Sequence, residues 1–362
     1  MANPAGYLDS ASSEPLHPAA REAFLAALDQ GYADPRRLHR SGRNARLILD
    51  NARAAVAEAL AVRADEVTFT SSGTDAVHRG LLGLIGARGA SRVAHSAVEH
   101  SAVLHALEWW QGEPVAIPVD RSGRVAAPAP GADVVALQSA NHEVGTLQPV
   151  SEYAGEAPLF VDAGASMGRL PLPEGWAVVA GSAHKWGGPA GVGVLVVRKG
   201  TRWLSPFPVD DRTDERSSGF ENVPAALAAA AALQAVVAER DEVNARQFAM
   251  VDRIRAAAAA IPDTEVVGDP VARLPHLVTF SCLYVNGEQI VQALDKRGFG
   301  VASGSACTAS TLEPSHVLAA MGALTHGNVR VSLTRDTTDA DVNALCAALP
   351  EVVAEIRSEH DL

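Results

Sequence analysis

The chain has 362 residues, with 30 Lys+Arg against 42 Asp+Glu and a formal net charge of −12. That length allows two domains with full cores, and the negative charge would repel a phosphate backbone, so nucleic acid is not an expected partner. With 48% hydrophobic and 20% charged residues the composition is that of a soluble globular protein. The alanine-rich stretch 225–237 is too short and small-sided to span a bilayer. No basic region followed by an apolar one opens the chain, so no secretory signal is expected and the location expected is cytoplasmic. The three cysteines, Cys282, Cys307 and Cys346, lack metal or redox spacing and make an odd number, which fits a reducing compartment and predicts no metal site.

In chain order, Tyr7-Leu8-Asp9 reads as a short strand-like start and Pro18–Leu28 as a helix. A polar, basic loop over 31–42 precedes a long helix over 43–62. Val67–Thr70 is strand-like, and Ser71-Ser72-Gly73-Thr74-Asp75 opens an apolar helix. Apolar runs follow at 92–94, 115–119, 133–137, 158–161, 177–180 and 192–197, most separated by helical stretches. Buried apolar runs alternating with helices predict an α/β large domain with a mostly parallel sheet, over 12–235. A helix over 223–260, with a break or bend inside it, connects to a smaller α+β domain made of 1–11 and 236–362. In that second unit 276–282, 287–297 and 300–302 read as strand, helix and strand. The loop with Cys307, a helix from Ser315, a strand over 329–333 and a terminal helix from Thr338 complete it.

The chemistry gathers at predicted strand ends, where ligands of open α/β sheets bind. The chain holds only three lysines, Lys185, Lys199 and Lys296. Lys199 suits a solvated strand end and Lys296 a helix C-terminus. Lys185 lies within Gly-Ser-Ala-His-Lys-Trp-Gly-Gly directly after an apolar run. A lysine there loses hydration, and its neutral amine can form a Schiff base with an aldehyde. Ser182 and His184 flank it and can reach a phosphate. Ser72-Gly73-Thr74 lies where a strand turns into a helix, so free N–H groups and the positive helix end can hold a phosphate as well. Asp162 ends its own strand and can pair with a protonated ring nitrogen. His100, at a helix start, can stack over a ring and shuttle protons near neutral pH. Cys307 sits among small residues, as an accessible nucleophilic thiol requires. Arg330 alternates with apolar neighbours on a strand and suits a bidentate carboxylate contact. Each residue alone also fits an ordinary structural role, as a cap, a core group or a salt bridge.

Together and in this order they carry a resemblance. The chain resembles the cysteine desulfurases, pyridoxal-phosphate enzymes of aminotransferase class V with the fold-type-I architecture. The resemblance rests on Tyr7-Leu8-Asp9, 68–74, Val98-Glu99-His100, 141–145, Asp162-Ala163, 182–185, 219–223, 303–315 and 330–338. Its most specific piece is Ser303-Gly304-Ser305-Ala306-Cys307-Thr308 followed by Leu312-Glu313-Pro314-Ser315. It implies pyridoxal 5'-phosphate bound through Lys185, with Asp162 on the pyridine nitrogen and His100 on the ring. Gly73, Thr74, Ser182 and His184 would hold the phosphate, and Arg330 with Asn141 or His142 the substrate carboxylate. Lys185, His100 and Cys307 would be catalytic, with L-cysteine as substrate and persulfide sulfur passed from Cys307 to an acceptor protein. A homodimer is implied too. The chain departs from the family pattern at Ala165, where glutamine is usual, at Phe220, where threonine is usual, at His142 for asparagine, and at Val77-His78 for an asparagine pair. Those departures keep two other readings in view: a carbon–sulfur or carbon–selenium lyase acting on a cysteine derivative, and a non-catalytic scaffold of the same fold.

Overall fold

The computed structural model describes residues 6–126, 131–155, 157–209, 214–217, 219–303 and 314–359. Two helices come first, α1 (Pro18–Leu28) and α2 (Arg40–Leu60). Then follow β1 (Val67–Thr70), α3 (Gly73–Arg88), β2 (Arg92–Ser96), α4 (Ser101–Trp110), β3 (Glu113–Ile117), β4 (Val134–Ala136), β5 (Leu159–Asp162), β6 (Val178–Ser182) and β7 (Gly193–Val197). These strands form one sheet in the order β1-β7-β6-β5-β4-β2-β3. All its pairings are parallel except those of β7, which runs antiparallel to both β1 and β6. The architecture is therefore the mostly parallel α/β sheet that the apolar runs predict.

The central strands are apolar on both faces, and the period of two sorts their side chains into two cores. Phe160, Val178, Ala180 and Leu195 face the layer holding α3 and α4. Leu159, Val161, Val179 and Val194 face the layer holding α2 and α5 (Val223–Ala259). Each of the larger ones, the valines, leucines and Phe160, contributes about 1.5–3 kcal/mol through burial, so the strand ends are anchored rigidly.

A second core lies around the antiparallel sheet β10-β9-β8, made of β8 (Thr264–Val267), β9 (Leu277–Cys282) and β10 (Asn328–Ser332). Helices α6 (Gly287–Lys296), α7 (His316–Met321) and α8 (Asp339–Glu359) complete the chain. Leu8 is buried in this second core, and Tyr7 and Asp9 bridge to Gly300 and Ser332.

Several details differ from the sequence reading. Residues 300–302 form isolated bridges, Gly300 to Tyr7 and Ala302 to Arg330, and not a strand. Helix α5 is unbroken, because beyond Pro224 in its first turn it contains neither glycine nor proline and is rich in alanine, the strongest helix former. Its Leu233 packs in the first core and its Met250 and Ile254 in the second, so one helix serves both. By length and composition α5 is apolar enough to cross a membrane, yet its alanine-rich part lies inside the first core. Helix α2 begins earlier than the basic loop implied, since the His39 ring accepts the Gly42 N–H and caps it. Strand β8, short and half-buried, carries too little apolar pattern to stand out.

Glu14 ties these parts together. Its N–H donates to the His184 carbonyl, its Oε2 accepts from Arg169 at 2.7 Å, and its Oε1 accepts from the Arg335 N–H at 3.0 Å. The ion pair is buried on both sides. Removing one partner of a buried pair strands the other charge. Glu14→Ala is therefore expected to lower stability by about 3–5 kcal/mol, and Glu14→Gln by less, read from the urea midpoint at unchanged m value. An unmoved midpoint for Glu14→Ala would refute the assignment.

Candidate active site

The carboxyl ends of β1, β4, β5 and β6 open onto one edge of the large sheet, where a cavity of about 360 Å³ lies. Gly73, Thr74, His100, His142, Asp162, Ser182, His184, Lys185 and Arg330 all line it. Asn141 is brought near but not into it. Its amide is fully buried, donating to the Val98 carbonyl and accepting from the N–H groups of Glu143 and Val144. It shapes the turn that presents His142. Cys307 lies outside the described residues.

One end of the cavity suits an anion. The turn from β1 into α3 is capped by Ser72, whose Oγ accepts the Asp75 N–H at 3.0 Å. That leaves Gly73 and Thr74 in the first turn of a 16-residue helix, with unpaired N–H groups and the positive end of the helix dipole. Ser182 comes from β6 on the facing side, and its Oγ meets His184 Nδ1 at 3.1 Å. A Cβ on Gly73 would stand 2.4 Å from Ser182 Cβ, so this approach of helix to strand requires glycine. Gly193 serves the same junction from β7, where a Cβ would lie 2.1 Å from the Ser72 carbonyl oxygen.

Lys185 follows β6 by a single turn, and its Nζ donates to the Ala11 carbonyl. Asp162 ends β5 with its Oδ1 accepting the Gly164 N–H at 2.8 Å. His100 accepts the Ala102 N–H at its Nδ1, which places the proton of the neutral ring on Nε2. Burial lowers its pKa and Asp162 raises it, with the balance downward. His142 packs edge-on against it, the ring centroids 4.9 Å apart and the planes at 77°. Burial, then the neighbouring His100, holds the His142 pKa well below the ordinary histidine value. Arg330 is buried, donating to Asp9 at 3.0 Å, to Ser12 at 2.9 Å and to the His142 carbonyl at 3.1 Å.

Several participants were not read from the sequence. Gln138, one residue past the apolar run of β4, lines the cavity and donates to the Val98 carbonyl. The strand-end rule that singles out Asp162 would have found it. Ala11 and Ser12 had no signal, because they reach the cavity through the crossing of the N-terminal segment.

With this geometry in place, residues 6–345 match the family model described as aminotransferase class-V. The chain belongs to aminotransferase class V. It is 35% identical over 381 residues to an IscS-like cysteine desulfurase of Mycobacterium tuberculosis, covering 97% of each chain. It is 31% identical over 378 residues to the cysteine desulfurase IscS of Methanosarcina thermophila, covering 98% of this chain and 94% of that one. Among solved structures, a NifS-like protein superposes with a TM-score of 0.88 at 24% identity, covering 96% and 99% of the two chains. The apo structure of a cysteine desulfurase from Thermococcus onnurineus superposes at 0.83 with 19% identity, covering 97% and 95%. Both share the fold.

Class V aminotransferases use pyridoxal phosphate, and the residues of this class V chain fit it. The cavity sets an amine, a carboxylate and a flat imidazole beside a helix N-terminus flanked by hydroxyls. Arg330 Nε is buried without a partner and so remains available for an anion. Adding a methyl group at residue 73 closes the approach of α3 to β6. Gly73→Ala is expected to weaken retention of the cofactor about tenfold or more, read by absorbance titration, with far-UV circular dichroism unchanged. Wild-type affinity in that variant would refute the anion site.

Proposed function

We propose that the chain is a pyridoxal-phosphate-dependent cysteine desulfurase that converts L-cysteine to L-alanine and leaves the sulfur as a persulfide on Cys307. The observation that carries this reading is Lys185 and Asp162 facing one cavity with Arg330, in a chain with end-to-end similarity to curated cysteine desulfurases.

Lys185 would hold the cofactor aldehyde, Asp162 its ring nitrogen, His100 its ring face, and Gly73, Thr74, Ser182 and His184 its phosphate. When bound, pyridoxal phosphate supplies an electron sink conjugated to the substrate Cα. Arg330 orients the substrate by its carboxylate, with Nε as the donor not already engaged. Lys185 Nζ moves the proton at the substrate Cα. The neutral His100, with its proton on Nε2, stands at the same cavity as a donor. The Cys307 thiolate attacks the substrate sulfur, so that an S–S bond forms as the substrate Cβ–S bond breaks. Protons returned to that carbon give alanine. The sum, L-cysteine plus thiol to alanine plus persulfide, balances without outside oxidant or reductant. Passage of that sulfur to an acceptor protein completes the cycle, and a free thiol of this kind suits a reducing cytoplasm.

Amino-acid analysis after incubation with L-cysteine is expected to find alanine, with persulfide on Cys307 by mass spectrometry. Cys307→Ser should abolish the persulfide and Lys185→Ala the yellow band of the loaded protein. Pyruvate and ammonia in place of alanine would overturn the reading in favour of β-elimination.

The working unit is a homodimer. Leu25, Leu28, Tyr32 and Leu38 on α1 and the loop after it are exposed apolar side chains close together in the chain, as a face covered by a second copy would be. Light scattering should give twice the chain mass of 37.6 kDa; a single-chain mass would refute it.

A further inference from the structure

Two hydrogen bonds tie the start of α7 to the two loops that carry the cavity's histidines. Ser315 Oγ donates to Glu143 Oε2 at 2.8 Å, with both residues buried. His316 Nε2 donates to the Glu99 carbonyl at 2.9 Å. Each anchor adjoins a cavity residue in sequence. Glu99 precedes His100 and Glu143 follows His142, and those two rings pack against each other. The neighbours of the anchors repeat the pattern, since Val98 and Val144 bury Val317, Leu318 and Met321 of α7 in one small apolar cluster.

Capping the helix does not require the Glu143 carboxylate. Ser315 already caps α7 by accepting the Leu318 N–H at 3.2 Å, and α7 has only six residues. Burying a carboxylate is costly unless it is bonded. Glu143 Oε1 has no partner, so among the described residues the Ser315 hydroxyl is the only hydrogen bond to that carboxylate.

In sequence, Cys307 lies between Ala302 and this anchor. On its other side Ala302 pairs with Arg330 through two backbone bonds of 2.7 and 3.1 Å. One stem is thus held by the residue that receives the substrate carboxylate. The other is held by the neighbours of the two cavity histidines.

We propose that Glu143 and His316 are positioning residues for sulfur transfer: through Ser315 and the Glu99 carbonyl they fix the C-terminal stem of the Cys307 stretch against the cofactor cavity. This rests on the desulfurase reading and adds to it the part of the chain that aims the thiol. The two anchors act on where Cys307 can go and leave the cofactor's own contacts untouched.

The test uses the holoenzyme and the variants Glu143→Gln, His316→Ala and His316→Gln. Glutamine at 316 keeps an N–H donor for the Glu99 carbonyl, which alanine lacks. The readouts are the cofactor absorbance band, the KM for L-cysteine, and the single-turnover rate of persulfide formation on Cys307. Glu143→Gln and His316→Ala are expected to keep the band and a KM within about twofold, yet to form persulfide about tenfold more slowly. His316→Gln should recover most of that rate. The pH profile adds a separate readout. Burial pushes the Glu143 carboxyl up to about 7, with Ser315 of α7 and Arg330 of β10 both acting to lower it. Its bond from Ser315 is charge-assisted only above that pH, so the advantage of the wild type over Glu143→Gln should shrink between about pH 8 and about pH 6. Wild-type persulfide rates in Glu143→Gln and His316→Ala, or parallel pH profiles, would overturn this inference alone. Loss of the cofactor band together with the rate would also overturn it, by making the anchors part of cofactor binding. Wild-type protein that forms no persulfide at all would overturn the desulfurase reading first.

Discussion

The site depends on one close approach, that of the first residue of α3 to the last residue of β6. Gly73 lies so near Ser182 that a single methyl group would collide with it. This contact sets the positive end of a buried helix beside the strand whose next turn carries Lys185. The helix end and the amine thereby open onto the same cavity. The sheet supplies the rigidity, because β6 is hydrogen-bonded on both sides and apolar on both faces. Asp162 then arrives at the right depth through register alone, since it pairs with Ala180, two residues before Ser182.

Charge inside the cavity is balanced locally although the chain as a whole is strongly negative. Arg330 faces Asp9, and Asp162 shares the cavity with Lys185. The histidines between them are kept neutral by burial. Arg330 is thus already partly satisfied by Asp9 and Ser12.

Much of this was legible from residue order because strand ends in α/β sheets follow directly from apolar runs. The runs leading to Asp162 and Lys185 needed only their length and the polar residue that ends them, and Pro18–Leu28 announced itself with a proline in its first turn. What was not legible depends on contacts remote in sequence. Asn141 is polar and sits beside His142, but its amide is spent on Val98, some forty residues earlier. Glu99 and Glu143 look like surface acids until the fold buries them under α7. Edge strand β8 owes its existence to pairing with β9 more than to its own pattern. The break expected in α5 is absent because, past its first turn, its composition holds nothing that would bend it.

The N-terminal crossing has a consequence for how the protein is made. Arg330, the partner of Asp9 and Ser12, is synthesised more than three hundred residues after them. Loop closure over such a span is slow and comes late in folding. During translation the large sheet can form with its lysine and helix end in place while the mouth of the cavity still lacks a wall. The nascent chain must therefore keep Leu8, a residue of the second core, out of wrong apolar contacts for most of its synthesis. Only once β10 has been made can that wall close.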